Sequence, residues 1–316
     1  VLRRGIVFIV LALLMLFFSS QSERFWTTAN LSNVLEQNAA VIIVTLGVTL
    51  TMLVGGIDLS VGSIAALGGA VSAGLIVNNG FPFWLSLVIT LVMGFGLGLF
   101  NGGLVVWGKL PPFVATLAML GIARGLTLLY TGERPIGIAS VEAYTFWGRG
   151  EVALPFGSWT IPAPLVVTAV VVFIMSLVMN YTRYGLHVYA IGGGENTARL
   201  AGVPVNRVKL VTYGLSGMLA ALAGMMLTAR LFSAQPQLGV GLELDAIAAA
   251  VLGGVSLFGG VGNMLSATLG ALLVGVLNNG MNLMRIASYQ QQMTQGIVLV
   301  LAVAVDMLTR RLSNRR

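Results

Sequence analysis

Asp58 is the first side chain whose chemistry needs a reason. It stands in GGIDLSVGS, residues 55–63, between two long apolar runs. A carboxylate in such surroundings is costly unless it is paired, hydrated or hydrogen-bonded. One use is structural: with Ser60 beside it, it caps a helix from Leu59 onward, accepting backbone N–H groups and holding the break in shape. The other is to carry a proton or an ion. Capping is the expectation adopted. Arg124, four residues after Leu120 in another apolar run, is the second costly charge. It pairs with an acid, lines a hydrated path, or snorkels to the interface. Asn101, Asn278, Asn279, Asn282 and Gln235 add uncharged hydrogen-bonding groups near Gly-rich interruptions. Amides there suit either a polar neutral solute passing between helices or bonds from helix to helix.

The elements that position these residues follow from composition. Of 316 residues, 57% are hydrophobic and 9% charged, with a mean hydropathy of +0.94. Soluble domains carry roughly 25% charged residues, so the chain reads as an all-α, polytopic transmembrane bundle. Apolar runs near twenty residues exclude the short alternating strands of a β-barrel. Ten such segments can be marked, starting near residues 5, 39, 64, 84, 113, 162, 211, 245, 264 and 292. The opening run is read as a span rather than a cleaved signal, and the one from Asp245 to Leu257 is short enough to be re-entrant. Ten spans, with Arg3 and Arg4 before the first and RRLSNRR after the last, place both termini in the cytoplasm. The net charge of +7 then belongs to inner loops and does not call for nucleic acid.

Two segments outside the spans stand out. Residues 131–160 form the largest outer segment, with Arg134, Glu142, Arg149 and Glu151 among the aromatics Tyr144, Phe146, Trp147 and Trp159. Residues 183–209 form a basic loop, hence cytoplasmic. Its centre, ENTARLAGV, reads as a short helix capped by Asn196 or Thr197 and ended by Gly202 and Pro204. Such a small capped helix is suited to being pushed by a partner. The halves of the chain are weakly related: GGIDLSVGSIAALGGA answers GGVSLFGGVGNMLSATLGA, and FNGGL at residues 100–104 answers LNNGM at 277–281. Paired helix interruptions point to a substrate pathway; glycines for close helix packing are the plainer alternative.

Several chemistries have no residues to serve them. No G-x-x-x-x-G-K-[ST] is present, so no nucleotide site is evident, and no HExxH or acid–His–Ser set appears. With no cysteine and His187 alone in the polar loop, no metal site is expected.

At GENTARLAGV (Gly194–Val203), with GGIDLSVGS before it and QPQLGVGLELDAIAAAVLGGVSLFGG (Gln235–Gly260) after it, the chain resembles the membrane permeases of bacterial ribose-type (monosaccharide) ABC importers. The resemblance runs from about Leu31 to Asp306. It implies a single permease domain, residues 1–316, in the bacterial inner membrane, moving a pentose or hexose and catalysing no covalent chemistry. It also implies a second permease subunit, identical or different, a cytoplasmic ATPase holding ATP and Mg, and a periplasmic sugar-binding protein. The coupling helix inserted into the ATPase would comprise Gly194, Glu195, Asn196, Ala198, Arg199, Gly202 and Val203. Asp58, Ser60, Asn101, Arg124, Asn278 and Asn279 are the pathway or helix-break candidates; Arg134, Glu142, Arg149 and Glu151 are the docking candidates for the binding protein. Related permeases for nucleosides or branched-chain amino acids, an ion-coupled secondary transporter, and a membrane scaffold are the rival readings.

Overall fold

A computed structural model describes residues 2–153 and 160–313; Trp159 and the tail bases Arg315 and Arg316 lie outside the described residues. Each of the ten apolar segments is helical: α1 (Leu2–Gln21), α2 (Thr28–Leu53), α3 (Val61–Val77), α4 (Phe83–Val106) and α5 (Pro112–Thr131) come first. After α6 (Glu142–Arg149) come α7 (Ala163–Tyr181), α8 (Arg183–Gly193), α9 (Glu195–Leu200), α10 (Val205–Leu231), α11 (Leu242–Leu252), α12 (Met264–Leu283) and α13 (Ser288–Ser313). Among the described residues six, namely α2, α4, α5, α7, α10 and α12, are long and apolar enough to cross a membrane. Of the others, α3 has 17 residues and α11 only 11.

Local chemistry sets the helix ends. Thr27 caps α2 by accepting from the Asn30 amide, and Asn263 caps α12 by accepting from Ser266. Proline opens α5 and α7, where its fixed φ fits and no N–H is needed. Several boundaries differ from the hydropathy reading. α2 starts at Thr28 rather than near 39, because LSNVLEQN, though polar, keeps helical bonding against α12.

The long helices divide into inner and outer ones. In α2 78% of the most apolar window is buried and in α10 and α12 67%, against 22–28% in α4, α5 and α7. α10 packs on α2, α3 and α4 through small residues, the close-approach device of helices lacking a hydrophobic drive between them. A Cβ at Gly98 would lie 2.0 Å from the Tyr213 carbonyl oxygen.

The long polar segments are more ordered than their composition predicts. Residues 183–209 are mostly helix rather than loop, since Tyr184, Val188 and Ile191 give α8 an apolar face. In the other, β1 (Ile136–Gly137) pairs antiparallel with β4 (Ser233–Ala234), and β2 (Glu151–Ala153) with β3 (Thr160–Pro162). Tyr144 is fully buried, its hydroxyl bonded to that of Ser72. Trp147 stacks on Phe83 at 5.5 Å. These rings clamp α6 to α3 and α4.

Candidate functional site

The basic segment builds a compact wedge. Gly194 separates α8 from α9 and is the N-cap of α9; Asn196 and Thr197 lie inside the helix, which corrects the capping expectation. The end of α9 follows the sequence reading: Gly202 takes φ +82, its amide donates to the Arg199 carbonyl and that of Val203 to Ala198. This is the paired-bond ending that favours glycine at the left-handed position. Ala198 is buried beneath the turn, while Asn196 and Arg199 face outward.

A salt bridge fastens the wedge to α10. Lys209 Nζ donates to Glu195 Oε2 at 2.5 Å, and Arg199 Nη2 to Oε1 at 3.0 Å. The Lys209 ammonium, bonded to it, holds the Glu195 carboxyl below its ordinary range, with Arg199 adding to the effect. Tyr184 Oη and Thr212 Oγ1, 2.8 Å apart, add a second tie from α8 to α10.

The wedge meets both Gly-rich breaks. A Cβ at Gly192, near the end of α8, would stand 2.0 Å from the Leu53 carbonyl oxygen and 2.2 Å from the Gly260 nitrogen. Only glycine lets these three backbones converge. The Gly260 amide donates to Leu53 O at 3.0 Å, and Tyr189 Oη to Gly262 O at 2.9 Å. The breaks at 55–60 and 253–262, related in sequence, are neighbours in space beside α8.

Asp58 does not cap α3 directly; Ser60 holds the N-cap position. Its carboxylate is fully buried and accepts three bonds: Ser60 N at 3.0 Å, Ser60 Oγ at 2.6 Å and Ser216 Oγ at 2.8 Å. Asn101 Nδ2 donates to Ser60 Oγ at 2.9 Å. The network joins α2–α3, α4 and α10, and three donors satisfy the carboxylate without a basic partner among the described residues. Lys209, Tyr213 and Ser216 recur on one face of α10 at helical spacing, so one rigid rod links the Glu195 contact to the Asp58 contact.

The other polar candidates lie toward the opposite end. Arg124 Nη1 donates to the carbonyls of Pro236 and Leu238 at 2.6 and 2.9 Å, anchoring the loop before α11. Asn279 exchanges two amide bonds with Asn30 at 2.9 and 3.1 Å, and Asn278 Oδ1 accepts from Gln295. Neither joins Asp58. Arg134, Glu142 and Glu151 are exposed; Arg149, also exposed, donates to the Arg230 carbonyl and lies over the Phe232 ring. No cluster of three metal-ligating side chains occurs among the described residues.

Ser216, 158 residues from Asp58, and Gly192 were not singled out from the sequence. The first sits unmarked in the small-residue run GLSGMLAALAG; the second had a signal, the triple glycine at 192–194.

A family model described as "Branched-chain amino acid transport system / permease component" matches residues 30–303. The chain is similar to the ribose import permease protein RbsC of Escherichia coli (strain K12), 41% identical over 298 residues, which are 94% of this chain and 92% of that one. To RbsC of Bacillus subtilis (strain 168) it is 42% identical over 300 residues, 95% and 91% of the two chains. The D-allose transport system permease protein AlsC of Escherichia coli is 36% identical over 306 residues, 97% and 92%. No solved structure matches.

Proposed function

The chain belongs to the ribose-type branch of the permeases of ATP-driven (ABC) importers, and from that premise we propose that it is the subunit through which a monosaccharide such as ribose or a related pentose or hexose crosses the bacterial inner membrane. The observation that carries the mechanism is the α8–α9 wedge, which touches both helix breaks through Gly192 and grips α10 through Lys209. In this reading residues 183–209 lie in the cytoplasm, as do both termini, and all ten helical segments act as spans or re-entrant pieces of one permease domain.

A partner ATPase binds ATP and Mg and pushes on Glu195–Val203. Gly202 and Ala198 keep α9 a rigid knob, so the push reaches α10 and the two breaks as a body. Rocking of packed helices about a fixed pathway is a known route to alternating access. A second permease subunit completes the pathway, and a periplasmic sugar-binding protein docks on the outer charges, of which Arg134, Glu142 and Glu151 are free to engage it. The chain itself performs no covalent chemistry.

The description of the family model names branched-chain amino acids, whereas the relatives near 40% identity are named for sugars. A match over nine-tenths of both chains weighs toward the sugar.

The test is ATP hydrolysis and solute uptake by this chain reconstituted with its ATPase, with and without the binding protein, over a panel of pentoses and hexoses. Hydrolysis that needs all components and one sugar supports the reading. Uptake by this chain alone, driven by an ion gradient, would overturn it in favour of a secondary transporter. Charge reversal at Arg134 or Glu142 should weaken stimulation by the binding protein, more so at low salt.

A further inference from the structure

At the end of the bundle opposite α8, a cavity of about 330 Å³ opens between α11, α12 and α13. Three polar side chains face it: Asp245 in the first turn of α11, and Gln292 and Gln295 in the first two turns of α13. Aliphatic side chains, among them Leu244, Val274 and Leu277, form the rest of the wall. The rim is the loop that Arg124 anchors by its carbonyls at Pro236 and Leu238.

The state of these groups is unlike that of Asp58. The Asp58 carboxylate is saturated by three donors. Asp245 is partly buried, and among the described residues it has neither a hydrogen bond nor a basic side chain within ion-pair distance. Gln292 likewise has no partner, and Gln295 spends one N–H on Asn278. A carboxylate left unpaired on a mostly apolar wall is costly and marks a place where something polar comes and goes.

The donor set narrows what that is. A carboxylate accepts hydroxyl protons, and primary amides both donate and accept, while the aliphatic wall suits C–H faces. No basic group among the described residues faces the cavity to hold an anion. We propose that this cavity is a hand-over subsite for the sugar on the permease, with Asp245 accepting two of its hydroxyls and Gln292 and Gln295 completing the set. The proposal rests on the sugar-import reading and names where on this chain the solute first binds. A single carboxylate with two adaptable amides gives weak, sequential contact. A permease must also release what it binds, so weak contact serves it.

The chain has no cysteine, so one introduced thiol reports cleanly. Leu244, 52% exposed, lines the cavity. In the assembled transporter, Leu244→Cys should react with a membrane-impermeant maleimide, and monosaccharide at about four times its Kd should slow the reaction about fivefold by occupancy. Choline at equal concentration should not, nor should sugar protect Ser140→Cys in the exposed segment before α6. Asp245→Ala should abolish the protection and lower sugar carried per ATP hydrolysed about fivefold, with hydrolysis still stimulated by the binding protein; Asp245→Asn should restore part of both. If uptake by the wild type is normal but sugar gives no protection and Asp245→Ala keeps its sugar-to-ATP ratio, the subsite is wrong and the import reading stands. Protection by choline instead would make it a cation site and overturn the proposal. Should Asp245→Ala fail to assemble, Gln292→Ala and protection on the otherwise wild-type chain decide the matter. A transporter that moves no sugar at all fails at the earlier reading.

Discussion

Between α2 and α3 the chain turns around a carboxylate, and between α11 and α12 it turns around four glycines of positive φ, Gly254, Gly259, Gly260 and Gly262. The first break is held by side chains: Asp58 draws in Ser60 and Ser216, and Asn101 closes the set from α4. The second holds no carboxylate: the Gly260 amide donates to Leu53 O, the Tyr189 hydroxyl to Gly262 O and the Phe258 amide to Ser256 Oγ. Their different fastenings imply different mobility. Buried, satisfied polar networks favour one arrangement, so the first break moves with α10 and α4. The seam that ties the second break to Leu53 by a backbone bond and to α8 by the Tyr189 hydroxyl carries no charge, and a displaced wedge reaches it directly.

The sharpest way to break this contrast is Gly192→Val. Its side chain would collide with backbone atoms of both breaks, and overpacking of this kind costs about 3 kcal/mol. ATP-dependent uptake in vesicles should be lost. Gly193→Ala, with nothing within 4 Å of its Cβ, should leave uptake intact and stability within about 0.5 kcal/mol. Equal effects at the two positions would remove the junction from the mechanism.

Asp58→Ala comes next. It strands three buried donors and should lower stability by about 3 kcal/mol, read as a fall in the unfolding midpoint in detergent. Asp58→Asn keeps one acceptor and lets the Ser216 hydroxyl turn to accept, so about 1 kcal/mol is expected. Equal losses from the two substitutions would argue that charge, rather than hydrogen bonding, holds the first break.

Lys209→Met separates coupling from stability. The Glu195 partner is 41% exposed, and exposed pairs contribute no more than about 1 kcal/mol, so the protein should fold while uptake per ATP falls. The same pair sets a pH dependence. Because the Glu195 carboxyl is held below its ordinary value, its contribution is complete above that ordinary value and is lost as pH falls through the depressed one. Hydrogen exchange at the Ala198 and Arg199 amides should therefore stay slow until the solution is more acidic than an ordinary glutamate requires.

The smallest effect is expected at Asn263, the cap of α12 just beyond the second break. Asn263→Ala should cost about 1 kcal/mol and leave uptake nearly unchanged, as a cap outside the seam should.

Much of this was legible from residue types. Apolar runs located the ten helical segments, and Gly202 before Pro204 marked the end of α9. Asp58 stood out because a charge in an apolar run needs a reason. Partners were not legible, since Ser216 and Asn101 reach the Asp58 network from α10 and α4 with no periodicity to connect them. The polar stretches misled for a related reason. Residues 183–209 read as a loop because the burial of Val188 and Ile191 leaves no mark in a basic composition.

Hydropathy alone determined that the chain folds as an apolar helical bundle, because backbone groups away from water must bond within their own helix. The positions of its glycines and prolines determined where helices stop, since those residues act through their own backbone geometry. Only the tertiary structure decided that both breaks meet α8 at Gly192, that Lys209 takes Glu195, and that Asp245 has no partner among the described residues. Those are contacts between helices distant in sequence, and they depend on which faces pack together, which no local pattern of residues specifies.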